Sequence, residues 1–314
     1  MSIQGKANLL MIIVTMFWGL SYTFMVMGLE TLAVYNVVAL RCIIAFLAAG
    51  IIFYKRMIKV DFKTLKYAAI QGFLLFLVFA LSLFGLQTTS VSNAGFILSL
   101  TVVLVPIISS FIDKKLPSRA VSFAIICTMI GITVLTAQGS FTFQKGDILV
   151  AIAALGYAIY LLLNSKFTRS VESISYGVYQ LGFAGLYALV CTLFFEAPTL
   201  PNTAASWLAI IGLGIICSAF CFVGQTVAQQ YASATHTGLI FFLRTIFAAM
   251  FAMMFLGEGL TVKLLIGGSF ILIGNLVAQF EHMHLSRFFK KTSARKSYMI
   301  PYRTSDKIGV TAIQ

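Results

Sequence analysis

Apolar residues run along this chain in long blocks separated by short polar or basic connections. Ten blocks can be marked, over residues 7–29, 34–54, 67–87, 92–112, 119–138, 147–165, 174–195, 206–228, 236–256 and 263–280. Most are close to the roughly 20 apolar residues that cross a bilayer as a helix, and about twice the length of a membrane strand. In lipid only helices and closed barrels satisfy every backbone N–H and C=O, so the pattern predicts an all-α polytopic membrane protein with ten transmembrane helices. Short connections make consecutive helices antiparallel neighbours. The N-terminal MSIQGK leads into a block too long for a signal-peptide core and without a small-residue cleavage site, which predicts a retained first helix.

Composition strengthens this reading. Hydrophobic residues make up 60% of the chain and charged residues 10%, against about 25% charged in a soluble domain. The mean hydropathy of +0.98 points the same way. A net charge of +13 would suit nucleic acid, but the basic residues fall in short clusters between apolar blocks, so the bilayer and a small-molecule substrate are the expected partners. With the N-terminus cytoplasmic, eighteen of the 22 Lys and Arg residues lie on the inner side, and only Lys145 and Lys263 lie outside. That asymmetry predicts a multi-pass protein of the cell membrane, a prokaryotic inner membrane, with both termini cytoplasmic. The tail, 287–314, carries seven basic residues and one acid, Asp306; it is expected to anchor the topology or to touch anionic headgroups. All five cysteines fall in apolar blocks without CxxC spacing, and two of three histidines sit beside the tail, so neither a metal nor a cofactor is expected.

The halves of the chain echo one another. At an offset of 143, QTTSVSNAG (Gln87–Gly95) lies over QYASATHTG (Gln230–Gly238) and Gly131 over Gly274; at a slightly smaller offset, Trp18-Gly19 lies over Gly156-Tyr157. The order of these matches suggests a duplication, over 1–138 and 147–281. An odd number of helices per repeat forces opposite orientations, and inverted repeats of this kind build transporters with a site near the midplane. FWGLSY (Phe17–Tyr22), ALRCIIAFLAAG (Ala39–Gly50), AGFILSLTVVLVPIISS (Ala94–Ser110) and FLGEGLTVKLLIGGSFILIGN (Phe255–Asn275) occur in this order. Together they resemble the drug/metabolite transporter superfamily in its EamA-type branch. The resemblance implies two inverted five-helix repeats, alternating access and small organic cargo.

Arg244 is the foremost candidate for function. It lies deep in an apolar block, with no acidic residue for more than a dozen positions on either side. A cation there costs several kcal/mol unless paired, and intramembrane charges are functional by default. It is either a cationic lining residue for a substrate carboxylate or phosphate, or a structural arginine held by carbonyls, Gln or Tyr. Members of the resembled family typically carry Glu-Pro where this chain has Arg244-Thr245. Arg41 stands nearer its helix end, where snorkelling or pairing with Glu30 would satisfy it; the alternative is a part in an outer gate. Ser218, Cys221, Gln225 and Gln229 share one helix face, as cavity lining or helix-to-helix glue. Gln180 lies on another polar face, and Trp18, Tyr22 and Tyr157 lie near mid-helix as candidates for a cavity wall. Ser92 and Asn93 are expected to cap the fourth helix, Pro106 to kink it, and Glu258 to structure the tight Gly-Glu-Gly turn.

These residues predict a secondary transporter of a small organic metabolite, with carboxylate-bearing compounds such as amino acids and their relatives among the candidates. A flippase-like carrier of a lipid-linked or amphipathic solute is the alternative. An intramembrane enzyme would need a buried His/Asp/Glu/Ser constellation, which the blocks lack. With no acid deep in any block, facilitated diffusion or exchange stands beside proton coupling.

Overall fold

A computed structural model describes residues 3–112, 114, 119–136, 144–229, 231, 234–274, 276 and 277. The basic tail therefore lies outside the described residues. The chain is helical throughout, and no strand occurs among the described residues. The helices are α1 (Ile3–Leu29), α2 (Val34–Met57), α3 (Phe62–Leu86), α4 (Val91–Leu98), α5 (Thr101–Ile112), α6 (Arg119–Thr136), α7 (Lys145–Phe167) and α8 (Ser173–Phe195). There follow α9 (Ala204–Ile211), a π-helical segment (Gly212–Phe220), α10 (Cys221–Gln229) and α11 (Ala234–Leu256). The last is α12 (Val262–Gly274). Taking α4–α5 and α9–α10 as continuous, seven stretches among the described residues are long and apolar enough to cross a membrane. Shorter apolar helical stretches cover Ser122–Leu135, Leu243–Leu256 and Val262–Gly274.

Apolar side chains face outward as well as inward. Ile51, Phe62, Phe111 and Phe194 are each at least 75% exposed, which suits a lipid-facing perimeter. Inside, α2 packs on α8, α1 on α11, and α3 on both α7 and α8. The segment α9–α10 packs on α1 and α2, while α4 and α5 pack on α7 and α11. Glycines let the backbones approach. A Cβ on Gly72 would stand 2.7 Å from the Gln180 carbonyl oxygen, and one on Gly131 2.6 Å from that of Gly267. Close approach is what lets apolar helices associate by dispersion where lipid supplies no hydrophobic drive.

Besides α2, whose backbone leaves helical geometry at Phe53, two apolar blocks are irregular. The fourth block breaks at Ser99–Leu100, well ahead of Pro106, which sits within α5. At the break the hydroxyls of Ser99 and Thr101 donate back to the Phe96 and Leu98 carbonyls at 2.6 and 2.7 Å, and Ser99 N–H bonds three residues back, to Phe96. Hydroxyl competition for helix carbonyls bends helices, so the break belongs to these side chains and not to the expected proline kink. The π-helical turn was not anticipated. Its Gly214 lies so close to α2 that a Cβ would meet Ile44 at 2.6 Å, and its wide turn carries Ser218 against Arg41.

The helix starts are held by side chains from elsewhere. Ser90, and not Ser92 or Asn93, caps α4 by accepting from Asn93 N–H at 3.1 Å. Ser92 instead donates to Glu258, whose carboxylate also accepts from the Val91 and Ser92 N–H groups at 2.8 and 3.1 Å. Glu258 thus reaches beyond its own turn, from the end of α11 to the start of α4. Gly257 makes the turn with φ +67°, a conformation that costs other residues roughly 1 kcal/mol or more. Glu196, after α8, does the same for α2, accepting from Tyr35 and Asn36 N–H, both at 3.0 Å. At the opposite end of α2, Arg56 bonds Glu172 at 3.1 Å. Replacing Glu258 by Ala strips α4 of this anionic cap and should cost about 2 kcal/mol. The expected readout is a lower thermal midpoint in detergent, with Glu258→Gln falling between the two.

Candidate functional site

Helices α1, α2, α3, α4, α7, α10 and α11 converge on an internal cavity of about 30 Å³. Its wall consists of Trp18, Ser21, Tyr22 and Met25 from α1, Arg41 from α2, and Val78, Phe79 and Ser82 from α3. Leu98, Tyr157, Phe222 and Arg244 complete it. That volume holds about two water molecules, so the walls must part before a metabolite enters. Among the described residues no acidic one contributes to the lining, whereas two arginines do.

Arg244 is 6% exposed. Its guanidinium carbon lies 5.3 Å from the Tyr157 ring centre and 5.9 Å from that of Trp18, within the reach of cation–π attraction. The rings are themselves held. Trp18 Nε1 donates to the Cys217 carbonyl at 3.0 Å, Trp18 meets Tyr157 edge-on at 6.4 Å, and Tyr157 stacks on Tyr160 at 5.3 Å. An aromatic cradle of this kind fixes where the cation stands.

Arg41 departs from expectation. It neither snorkels nor pairs with Glu30, which is exposed while Arg41 is wholly buried. The reason lies in helix phase: Arg41 shares the inward face of α2 with Val34, Val37, Val38, Ala45 and Ala49. Its Nε and Nη2 donate to Ser218 Oγ at 3.1 and 3.0 Å, and its guanidinium carbon lies 4.0 Å from the Phe79 ring centre. Among the described residues Nη1 finds no hydrogen-bond partner, and the same holds for Tyr22 Oη and Ser82 Oγ.

Arg244, Arg41, Trp18, Tyr22 and Tyr157 thus share one wall, while Gln180 and Gln225 lie outside the lining. Gln180 accepts from Tyr160 Oη at 3.0 Å and donates to Thr226 Oγ1 at 3.3 Å. Gln71 donates to the Tyr160 carbonyl at 2.8 Å. Gln225 and Asn164 both donate to Gln229. These amides tie α3, α7, α8 and α10 together, as helix-to-helix hydrogen bonds do in membranes. Of the polar face on 218–229, Ser218 serves Arg41, while Phe222 fills the cavity wall. Phe79, Ser82 and Phe222 carry no signal in the sequence, because phenylalanines and single serines recur throughout the apolar blocks.

Span-length apolar helices packed around a charged, aromatic-lined cavity describe a multi-pass membrane protein. The model of the EamA-like transporter family matches residues 5–137 and again 144–279, and the chain belongs to that family. It is 24% identical over 285 residues to an uncharacterized transporter of Archaeoglobus fulgidus, covering 86% of this chain and 96% of the relative. It is 23% identical over 286 residues to the uncharacterized transporter YcxC of Bacillus subtilis, covering 86% and 92%. A solved crystal structure superposes with a TM-score of 0.68 at 18% identity, covering 90% of this chain and 99% of that one, a likeness of fold. The protein is a membrane transporter and not an enzyme.

Proposed function

We propose that this transporter moves a small, carboxylate-bearing organic metabolite by alternating access, with Arg244 as the anion anchor. The observation that carries the reading is a cavity wall with guanidinium groups and no acidic side chain. Such a wall favours an anion, because the arginine charge is expensive in a low-dielectric site and an arriving carboxylate offsets it.

The moving parts are two inverted five-helix repeats, 1–138 and 147–281. In support, the family model matches the chain twice. The packing also exchanges when α1, α2, α3, α4–α5 and α6 are swapped for α7, α8, α9–α10, α11 and α12. Under that swap α2–α8 maps onto itself, α3–α7 onto α1–α10, and α1–α11 onto α7 with α4 and α5. Trp18 and Tyr157, which lie near one another in the two-repeat alignment, meet at the cavity. The distribution of Lys and Arg supports cytoplasmic termini, in a membrane we take to be a prokaryotic inner membrane.

Counterflow in proteoliposomes tests the reading. Purified protein loaded in turn with unlabelled organic acids, amino acids and nucleosides should accumulate the matching labelled acid. Exchange of nucleosides alone, or of no solute carrying a carboxylate, would refute it.

A further inference from the structure

Resting on the reading of Arg244 as an anion anchor, we propose that Arg41, Tyr22 and Ser82 form a second anion subsite on the same cavity wall. The substrate is then a small organic dianion, with one oxyanion group for each arginine, and not a zwitterionic amino acid.

Nearly all buried polar atoms in native proteins find a hydrogen-bond partner. Here Arg41 Nη1, Tyr22 Oη and Ser82 Oγ all lack one, and all three side chains line one small cavity. Arg41 is wholly buried, and Tyr22 and Ser82 are each 3% exposed. The remainder of the Arg41 guanidinium is fixed: Ser218 Oγ takes Nε and Nη2, and Phe79 supports its plane at 4.0 Å. Ser82 follows Phe79 by one turn on the same face of α3, so its hydroxyl stands beside that support. Tyr22 follows Trp18 by one turn on α1, on the face that holds the Arg244 cradle.

The chemistry of these groups selects the ligand. A guanidinium has only donors to offer, and both hydroxyls can donate, so the natural common partner is an acceptor with several lone pairs. A carboxylate beside a charge already in place fits best. An ammonium group fits poorly. No lining residue is acidic, and the Trp18 and Tyr157 rings that would welcome a cation lie beside Arg244.

Competition against counterflow tests this with the full chain. The probes are dicarboxylates of three to six carbons, with monocarboxylates and ω-amino acids of matching length. At least one dicarboxylate should compete about tenfold better than its monocarboxylate, the scale of one charged hydrogen-bonding contact. Arg41→Gln should bring that ratio near unity, and Arg41→Lys should restore part of it. Because Arg41 is buried, Ser82→Ala and Tyr22→Phe provide variants that break no hydrogen bond within the protein. Their thermal midpoints should hold while dicarboxylate affinity falls several-fold more than monocarboxylate affinity. If monocarboxylates or amino acids match the dicarboxylates, the second subsite is wrong and Arg244 still stands as an anchor. An unchanged ratio in Ser82→Ala and Tyr22→Phe would mean that water serves these groups, and the proposal falls. If no acid competes at all, both readings fall together.

Discussion

Replacing Arg244 by Gln should abolish uptake of an acidic substrate while leaving the protein folded. Arg244 lies ten residues into α11, or about 15 Å along the helix at 1.5 Å per residue, too deep for its head to reach the membrane surface. It is 6% exposed and stands at the cavity beside the rings of Trp18 and Tyr157. A charged hydrogen bond to a carboxylate contributes about 1.5–3 kcal/mol, so its loss lowers affinity by about 10- to 100-fold. Losing the positive charge in a low-dielectric site adds to that loss. Gln removes a costly cation and retains a polar head, so the thermal midpoint should stay within a few degrees. Arg244→Lys keeps the charge but loses the planar fork, and should retain weak transport. The measurement is counterflow set beside the melting curve for each variant. Transport at normal affinity in Arg244→Gln would make the residue structural.

Gly19→Val should damage both stability and transport, although residue 19 need not touch the solute. A Cβ at Gly19 would stand 2.5 Å from Phe247 Cβ and 2.9 Å from the Ala248 backbone nitrogen. Neither atom is the end of a flexible side chain, so α1 and α11 must separate. Overpacking of this kind costs about 1–3 kcal/mol, and Val at a backbone contact belongs at the upper end. The consequence reaches the site because Gly19 follows Trp18 directly and Ala248 follows Arg244 by one turn. Pushing the helices apart lifts the Trp18 ring away from the guanidinium, which the glycine contact holds at 5.9 Å. The expected result is a drop of several degrees in melting temperature together with a transport defect. Gly259→Val is the control, since nothing stands within 4 Å of that position. A Gly19→Val protein that melts and transports normally would show that the α1–α11 contact is loose.

Most of the architecture was legible because bilayer thickness imposes itself on sequence. A helix crossing lipid needs a long apolar block, and the structure places helices at all ten marked blocks, seven of them long and apolar enough to span on their own. Arg244 was legible for the complementary reason: one charge inside such a block demands an explanation. Tyr22, Tyr157 and Trp18 stood out by their depth in their helices.

Other features depended on neighbours that a sequence does not display. Arg41 looked like a residue near a helix end because position along a helix is visible while helix rotation is not; packing of α2 on α8 and the π-helical segment turned it inward. Glu258 looked like part of its own turn because its partners, Val91 and Ser92, are far away in the chain. Pro106, the strongest local signal, predicts a kink in the fourth helix, whereas the break falls at Ser99, where two hydroxyls bond back to helix carbonyls. Gln180 and Gln225 advertised polarity without saying whether a cavity or another amide would meet it.

The sequence by itself determined that this is a helical membrane protein, which blocks form its helices, and that a cation lies buried in α11. These follow from the thickness of lipid and the cost of charge within it, and need no knowledge of neighbours. Only the tertiary structure decided that Arg41 joins Arg244 on one wall, that Phe79, Ser82 and Phe222 complete it, and that the cavity is contracted to about 30 Å³. Those depend on how helices rotate and how closely their glycines let them approach, which is settled between helices and not along them.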